Sequence, residues 1–491
     1  MEALSGFVDL ARSSEPLHVQ LAAQIKSAVL SGKLPAKARL PSSRALANEL
    51  RISRNTVLTA LDQLKSEGYL EAVRGSGTLV AAIPVQELAR ARPRGAMAAQ
   101  PAPHRLAPRW DEPLAKFHPS SALVVPGPFQ PGIPDLGAFP ADLWSACLRR
   151  VSRRTDLATA GYGHMSGHPR FRRILCDYLA EQRGASAEPE QIIITSSARG
   201  GINLIASALL SPGEETWIEE PGFRSAKAIF SAGGGKLVAV PVDAQGIDPS
   251  CIPPGGKPRL IYTTPSHQYP TGAVMTLARR LELLELASRS GAYIIEDDYD
   301  SEFQYRGRPI AALQGLDSTG CVLYLGTFAK SLLPALRVGF VVVPPDLVDG
   351  FTKVHRHTGQ FSPPVMQLAL TDFIERGHHR AHVRRMRMIY ANRLAAFAEG
   401  IATQSQGALQ ATIPDGGLQT VVTSLDGMED GQLASHLAKA GVQCQPLSDF
   451  RMLPGCDAHR GVLMGFAAWN EADAEKALSR LGALYRHPFR R

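Results

Sequence analysis

Apolar residues recur at Leu17, Leu21, Ile25, Ala28 and Val29, which is helical spacing, and Gly32 closes that helix. Pro41 precedes a second, short helix over 42–50. Ser53 then suits an N-cap, with Ile52 and Val57 at the two positions of a hydrophobic staple. The helix it opens runs on through Leu61 and Leu64 and ends at Gly68. Residues 69–80 read as a strand, a basic turn at Arg74-Gly75-Ser76-Gly77, and a second strand. From about residue 119 the pattern changes. Short apolar runs such as Ile192-Ile193-Ile194, Leu260-Ile261-Tyr262 and Tyr293-Ile294-Ile295 alternate with helical stretches, as in an α/β sheet. Between the two patterns, residues 83–109 hold five prolines, five arginines and one acid, Glu87, which reads as a linker. The expected organisation is an α+β head over 12–82, a linker over 83–118 and an α/β body over 119–488.

The chain has 491 residues, and at about 150 residues per domain this allows two to four domains. With 44% hydrophobic and 20% charged residues the composition is that of globular proteins. No apolar run approaches the roughly 18 residues of a membrane span. The first residues lack the basic-then-apolar order of a secretory signal. Six scattered cysteines with no C-x-x-C pair argue against a disulfide framework and against a zinc site. A cytoplasmic protein with no metal and no membrane contact is expected.

The distribution of charge adds a partner. Of the net +8, residues 1–118 contribute +6, from 16 Lys/Arg against 10 Asp/Glu. A basic head on a near-neutral body points to a polyanion at the front end. The helix opened by Ser53 shows Arg54, Asn55 and Thr56 in its first turn, all able to hydrogen-bond base edges or phosphates. Two helices joined by a tight turn, followed by a two-stranded wing, form a winged helix-turn-helix.

At this point the head resembles the GntR superfamily of bacterial regulators. The resemblance is carried by Pro16-Leu17-x-x-Gln20-Leu21, Leu40-Pro41-Ser42-x-Arg44-x-Leu46-Ala47, Ser53-Arg54-Asn55-Thr56-Val57 and the Arg74-Gly75-Ser76-Gly77-Thr78 wing. It implies operator DNA as partner, with Arg44, Arg54 and Asn55 in contact and Arg74 and Gly75 at the minor groove or backbone. Arg54 and Asn55 are expected to read bases, and Arg44 and Arg74 to hold phosphates.

In the body, the run Val322-Leu323-Tyr324-Leu325-Gly326-Thr327-Phe328-Ala329-Lys330 delivers a lysine just past a buried strand, where open α/β sheets bind ligands. A lysine desolvated there can form a Schiff base with an aldehyde cofactor. A second strand ends in Glu296-Asp297-Asp298-Tyr299, and alternation puts Asp297 and Tyr299 on one face. Asp297 suits the ring nitrogen of pyridoxal phosphate and Tyr299 its phenolic oxygen. After Ile192-Ile193-Ile194-Thr195, the turn Ser196-Ser197-Ala198 opens a helix near Arg199, a natural anion site. Thr327 and Arg337 complete it, and Phe223, on a turn after another strand, stands ready to stack on the ring.

Together these pieces resemble the fold-type-I aminotransferases, with a large and a small subdomain, and with the head they look like the MocR/GabR-type regulators. The most specific strings are Thr264-Pro265-Ser266-His267-Gln268-Tyr269-Pro270-Thr271-Gly272, Glu296-Asp297-Asp298-Tyr299-Asp300-Ser301-Glu302-Phe303 and Gly326-Thr327-Phe328-Ala329-Lys330. The resemblance implies Lys330 as the Schiff-base lysine, Asp297 at the ring nitrogen, Tyr299 at the phenolic oxygen and Phe223 as the stacking aromatic. It places the phosphate on Ser197, Ala198, Arg199, Thr327 and Arg337. It also implies a homodimer, because sites of this type are built at a subunit interface. Arg460, five residues before Gly465, has the spacing of the aminotransferase arginine that binds a substrate carboxylate.

Three positions depart from the aminotransferase pattern. Tyr269 stands where those enzymes carry an asparagine that touches the cofactor oxygen, and aromatic residues there are usual in the regulators. Ser197 replaces a glycine of the phosphate turn. Ser225 stands where some relatives have a second ligand-binding arginine. The expectation is a transcriptional regulator that binds pyridoxal phosphate and senses an amino compound or the cofactor itself, its aminotransferase-like domain used for sensing and partial transamination left open. The alternative is a working aminotransferase with a DNA-binding appendage.

Overall fold

The computed structural model describes residues 8, 10, 15–73, 77–82, 107–117, 127–153, 161, 163–252, 255–307, 310–453 and 460–486. The chain divides into two compact units, residues 1–105 and 106–491. Most of the expected linker, and the wing residues Arg74 and Gly75, lie outside the described residues.

The first unit holds α1 (Leu17–Leu30), α2 (Ser43–Leu50), α3 (Arg54–Ser66) and a hairpin of β1 (Leu70–Val73) and β2 (Gly77–Val80). Its core is the apolar face read from the sequence: Leu21, Ile25, Leu46, Val57, Leu61 and Leu64 are fully or almost fully buried. Gly32 (φ +77°) and Gly68 (φ +79°) take the left-handed conformation after α1 and α3, where a side chain is strained. Ser42 caps α2 by accepting from the Ala45 amide, and Ser53 caps α3 by accepting from the Thr56 amide at 3.1 Å. Each cap satisfies an amide that the helix itself leaves free.

The second unit is built on an eight-stranded sheet in the order β3-β10-β9-β8-β7-β4-β5-β6. These strands are β3 (Ile192–Thr195), β4 (Glu215–Glu220), β5 (Lys236–Asp243), β6 (Gly246–Ile247), β7 (Pro258–Thr263), β8 (Tyr293–Asp298), β9 (Val322–Thr327) and β10 (Gly339–Val342). The run β9-β8-β7-β4-β5 is parallel, whereas β10 lies antiparallel between β3 and β9. Burial on both faces explains why β3 and β9 read as continuous apolar runs rather than alternating ones. Helices cover both faces, among them α4 (Ala141–Ser152), α5 (Pro169–Arg183), α6 (Ala198–Leu209), α7 (Arg224–Ala232), α8 (Leu277–Ser290), α9 (Val348–Thr358) and α10 (Pro364–Glu375). The long α11 (His378–Gln404) leads to a smaller sheet in the order β11-β12-β14-β13. This sheet comprises β11 (Leu409–Ala411), β12 (Gln419–Ser424), β13 (Gln445–Pro446) and β14 (Val462–Gly465), with α12 (Asp430–Lys439) and α13 (Glu471–Arg486). It has its own core, including Leu394, Leu433 and Met464. Among the described residues no helix is long and apolar enough to cross a membrane.

Removing the α3 cap tests the head. Ser53→Ala should lower its stability by about 1 kcal/mol, read as an earlier denaturant midpoint with an unchanged m-value.

Candidate functional site

The ends of β8 and β9, the turns after β3 and β4, and residues from the small sheet meet around one cavity of about 350 Å³. Parallel strands all point their C-terminal ends at it, the usual place for a ligand in an open α/β sheet. Lys330, three residues past β9, is on the cavity wall and donates to the Gly132 carbonyl. Burial lowers its pKa; Asp300 works against that and Arg199 adds to it. An ammonium with a lowered pKa releases its proton more readily and becomes a nucleophile.

Asp297 and Tyr299 share the cavity wall, as alternation along β8 requires. The Tyr262 hydroxyl donates to Asp297 Oδ2 at 2.5 Å. The other oxygen, Oδ1, is buried with no hydrogen-bond partner among the described residues. Burial pushes the Asp297 pKa up to about 7, against the Tyr262 hydroxyl. A buried acceptor left open in this way suits a protonated ring nitrogen. Asp298 faces the other side of the sheet. It takes Arg183 Nε at 2.6 Å and the Tyr324 hydroxyl at 2.5 Å, in a fully enclosed pair. Burial works to raise its pKa, but Arg183 and Tyr324 outweigh it and leave the carboxyl lowered. The Tyr299 hydroxyl donates to the His267 carbonyl at 3.0 Å, so a second partner must meet its oxygen or replace that bond.

The turn after β3 gathers the expected anion donors. Ser197 caps α6, its hydroxyl accepting from the Gly200 amide at 3.1 Å, which puts Ala198 and Arg199 in the first helical turn on the cavity wall. A Cβ on Gly339 would lie 2.7 Å from the Ser197 carbonyl carbon, so only glycine lets β10 pass this close to the turn. Thr327 accepts from the Ala329 amide at 3.2 Å, and Arg337 holds a left-handed conformation (φ 53°) at the same wall.

The aromatic wall is richer than expected. Tyr269 packs edge-on against Phe223, Tyr299 and Phe450, with centroids 5.5, 5.9 and 5.4 Å away. Gln268 holds the backbone on both sides: its amide donates to the Pro221 carbonyl at 2.9 Å and the Tyr269 carbonyl at 2.8 Å. The same nitrogen lies 3.0 Å from Glu219, which shares the nitrogen's two protons with those carbonyls and which is itself buried and takes Thr263 and Thr264. Behind the wall, Lys227 and Glu220 form a buried pair at 2.8 Å that grips residues 450–453. Lys227 donates to the Phe450 carbonyl, and Glu220 accepts from the Met452 and Leu453 amides.

One expected residue is elsewhere. Arg460 is not on the cavity wall: its guanidinium is 3.3 Å from Glu429, the cap residue of α12, where the opposite charge draws it. Arg224 occupies the wall instead, 3.3 Å from Asp449 and with its guanidinium 4.9 Å from the Phe450 ring centroid. Sequence reasoning passed over Arg224, Tyr262, Asp300, Gln419 and Phe450. Tyr262 had a usable signal, since it is the last but one residue of β7, the strand adjacent to β8. Gln419 and Phe450 arrive from the small sheet with no local motif. In the head, Arg44, Ser53, Arg54 and Asn55 are exposed and Thr56 is half-buried; Arg54 Nε donates to Ser43 at 3.3 Å.

Residues 142–481 match the class I and II aminotransferases, and residues 17–80 match the bacterial regulatory proteins of the gntR family. The chain is 37% identical to a probable rhizopine catabolism regulatory protein, MocR, of Rhizobium meliloti, over 96% of this chain and 94% of that protein. The chain belongs to the MocR-type regulators. It is also 31% identical to the pyridoxine biosynthesis regulator PdxR of Corynebacterium glutamicum, over 92% of both chains. Among solved structures it resembles a kynurenine aminotransferase of Pyrococcus horikoshii, with TM-score 0.66 and 26% identity over 73% of this chain and 90% of that one. As a MocR-type regulator the protein is a DNA-binding transcriptional regulator with an aminotransferase-like body.

The two neighbouring carboxylates separate structure from site. Asp298→Asn should cost about 3–5 kcal/mol in chemical denaturation, because it strands the buried Arg183 charge. Asp297→Asn should instead stabilise cofactor-free protein, increasingly so as pH rises from about 4 towards 7. In that window the unfolded carboxyl has ionised while the buried one still holds its proton, so wild-type stability falls with pH and the amide variant escapes the loss. Urea midpoints across that pH range read both effects.

Proposed function

We propose that the body binds pyridoxal phosphate through Lys330 and uses it to sense an amino compound, so that ligand binding is transmitted to operator affinity. The observation that supports this most is the pairing of Lys330 with the open Asp297 oxygen in one cavity, beside an anion-binding helix start. When bound, pyridoxal phosphate supplies an aldehyde that condenses reversibly with amines and a ring that withdraws electrons. Lys330 would hold it covalently, Asp297 would accept the ring N–H, and Tyr299 would meet the phenolic oxygen. The amides of Ala198 and Arg199, with Thr327 and Arg337, would take the phosphate. Phe223 and Tyr269 would exclude water from the ring.

An amino compound competes with Lys330 for the same centre. It shifts DNA affinity only through unequal affinity for two states of the protein. Arg54 and Asn55 would read bases while Arg44 holds a phosphate, and the particle would be a homodimer on two half-sites. The place of Tyr269, where an enzyme's asparagine would touch the cofactor, favours sensing over turnover.

Purified protein should absorb in the visible, and Lys330→Ala should lose that band and any borohydride-trapped lysine adduct while keeping its fold. A trapped adduct in that variant would reject Lys330. Sustained conversion of an amino acid and a keto acid would favour the enzyme reading. On DNA, Arg54→Ala should lose about 1–3 kcal/mol on operator and much less on random sequence, whereas Arg44→Ala should weaken both and lower the salt slope by about one. Full activity of a monomer on one half-site would exclude the dimer.

A further inference from the structure

Besides Asp297, two residues on the cavity wall carry buried oxygens without a hydrogen-bond partner among the described residues: Asp300 Oδ2 and Gln419 Oε1. Leaving such an acceptor unmet costs about 1–3 kcal/mol, more for a charged group. The phosphate end of the cavity, with Arg199 and Arg337, has no use for further acceptors. Asp300 and Gln419 belong to the Lys330 side. A Cβ on Gly132 would lie 3.4 Å from Lys330 Nζ and 3.7 Å from Gln419 Oε1. The chain reaches Gln419 through Gly417, where a Cβ would lie 3.2 Å from Asp300 Oδ2.

Asp300 is also held in place. Its Oδ1 is 2.7 Å from His267 Nδ1, and the two side chains are 1% and 2% exposed. His267 cannot swing away, because Gly416 packs against its Nε2 so closely that a Cβ there would come within 2.3 Å. One carboxylate oxygen is thus fixed by the protein and the other is left to whatever enters beside Lys330. A carboxylate and an amide oxygen together ask for hydrogen-bond donors, not for an anion.

We propose that Asp300 and Gln419 form a donor-recognising subsite, and that the effector is an amino compound carrying a hydroxyl or second ammonium group beyond its reacting amine. This rests on the cavity being the site for pyridoxal phosphate and an amine. His267 acts as a positioning residue for Asp300.

The test uses the cofactor-loaded full-length protein and three amines of equal chain length: n-butylamine, 3-aminopropan-1-ol and 1,3-diaminopropane. Dissociation constants come from the change in visible absorbance. At least one of the two donor-bearing amines should bind about tenfold or more tightly than n-butylamine, the value of one hydrogen bond to a charged group. Which of the two gains identifies the donor. Asp300→Asn should bring that ratio towards one, and Gln419→Leu should lower it, which keeps the test alive if the first variant does not fold. Equal affinities for all three amines, or no response to any, overturn the subsite. So does equal weakening of all three in Asp300→Asn, which would mean that the carboxylate serves Lys330 and not the ligand. A protein that stays colourless after addition of pyridoxal phosphate fails the cofactor reading itself, whereas a yellow protein without preference fails only the subsite.

Discussion

Two adjacent carboxylates at the end of β8 must leave on opposite faces of the sheet, and the cavity depends on which goes where. Arg183, reaching in from the end of α5, decides it by taking Asp298 into a buried pair closed by Tyr324. Turning the strand over would bury Asp297 against that guanidinium and present Asp298 to Tyr262. With Asp298 committed, Asp297 and Tyr299 face the cavity, and β9 beside them carries Lys330 to the same wall. The ion pair therefore acts on the site without touching it. Its own net stability is small, as for most buried pairs, but removal of one partner is costly.

Much of this was legible in the sequence because it rests on strand alternation and on strand ends. Asp297, Tyr299, Lys330 and the Ser197 turn each follow a buried apolar run, so their direction is set by a period of two and by where the run stops. The head was legible for a similar reason: the caps at Ser42 and Ser53 are local features, complete within a few residues. What escaped was long-range. Arg460 has the right spacing to Gly465, yet its side chain answers to Glu429, a residue brought near by the packing of α12. Arg224 stands beside Ser225, and it is the course of α7 and the position of Phe450 that bring it to the wall. Neither outcome is written in a short string.

The polar networks around the cavity differ in kind. Glu219 and Gln268 are spent on backbone and hydroxyl groups and fix the aromatic wall. Asp297, Asp300 and Gln419 each keep one oxygen open. A protein that leaves three buried acceptors open in one cavity accepts instability in exchange for recognition, which is the usual compromise at a binding site.

The Lys227–Glu220 pair has a mechanical consequence. Residues 450–453 belong by sequence to the small sheet, lying between β13 and β14, yet their backbone is fastened to charges that come from the end of β4 and from α7. Phe450 therefore bridges the two sheets: its carbonyl is held by Lys227, while its ring packs against Val421, Leu447 and Leu463 of the small sheet. The aromatic wall is thus shared, so a shift of either sheet against the other reaches the cavity through the Tyr269–Phe450 contact.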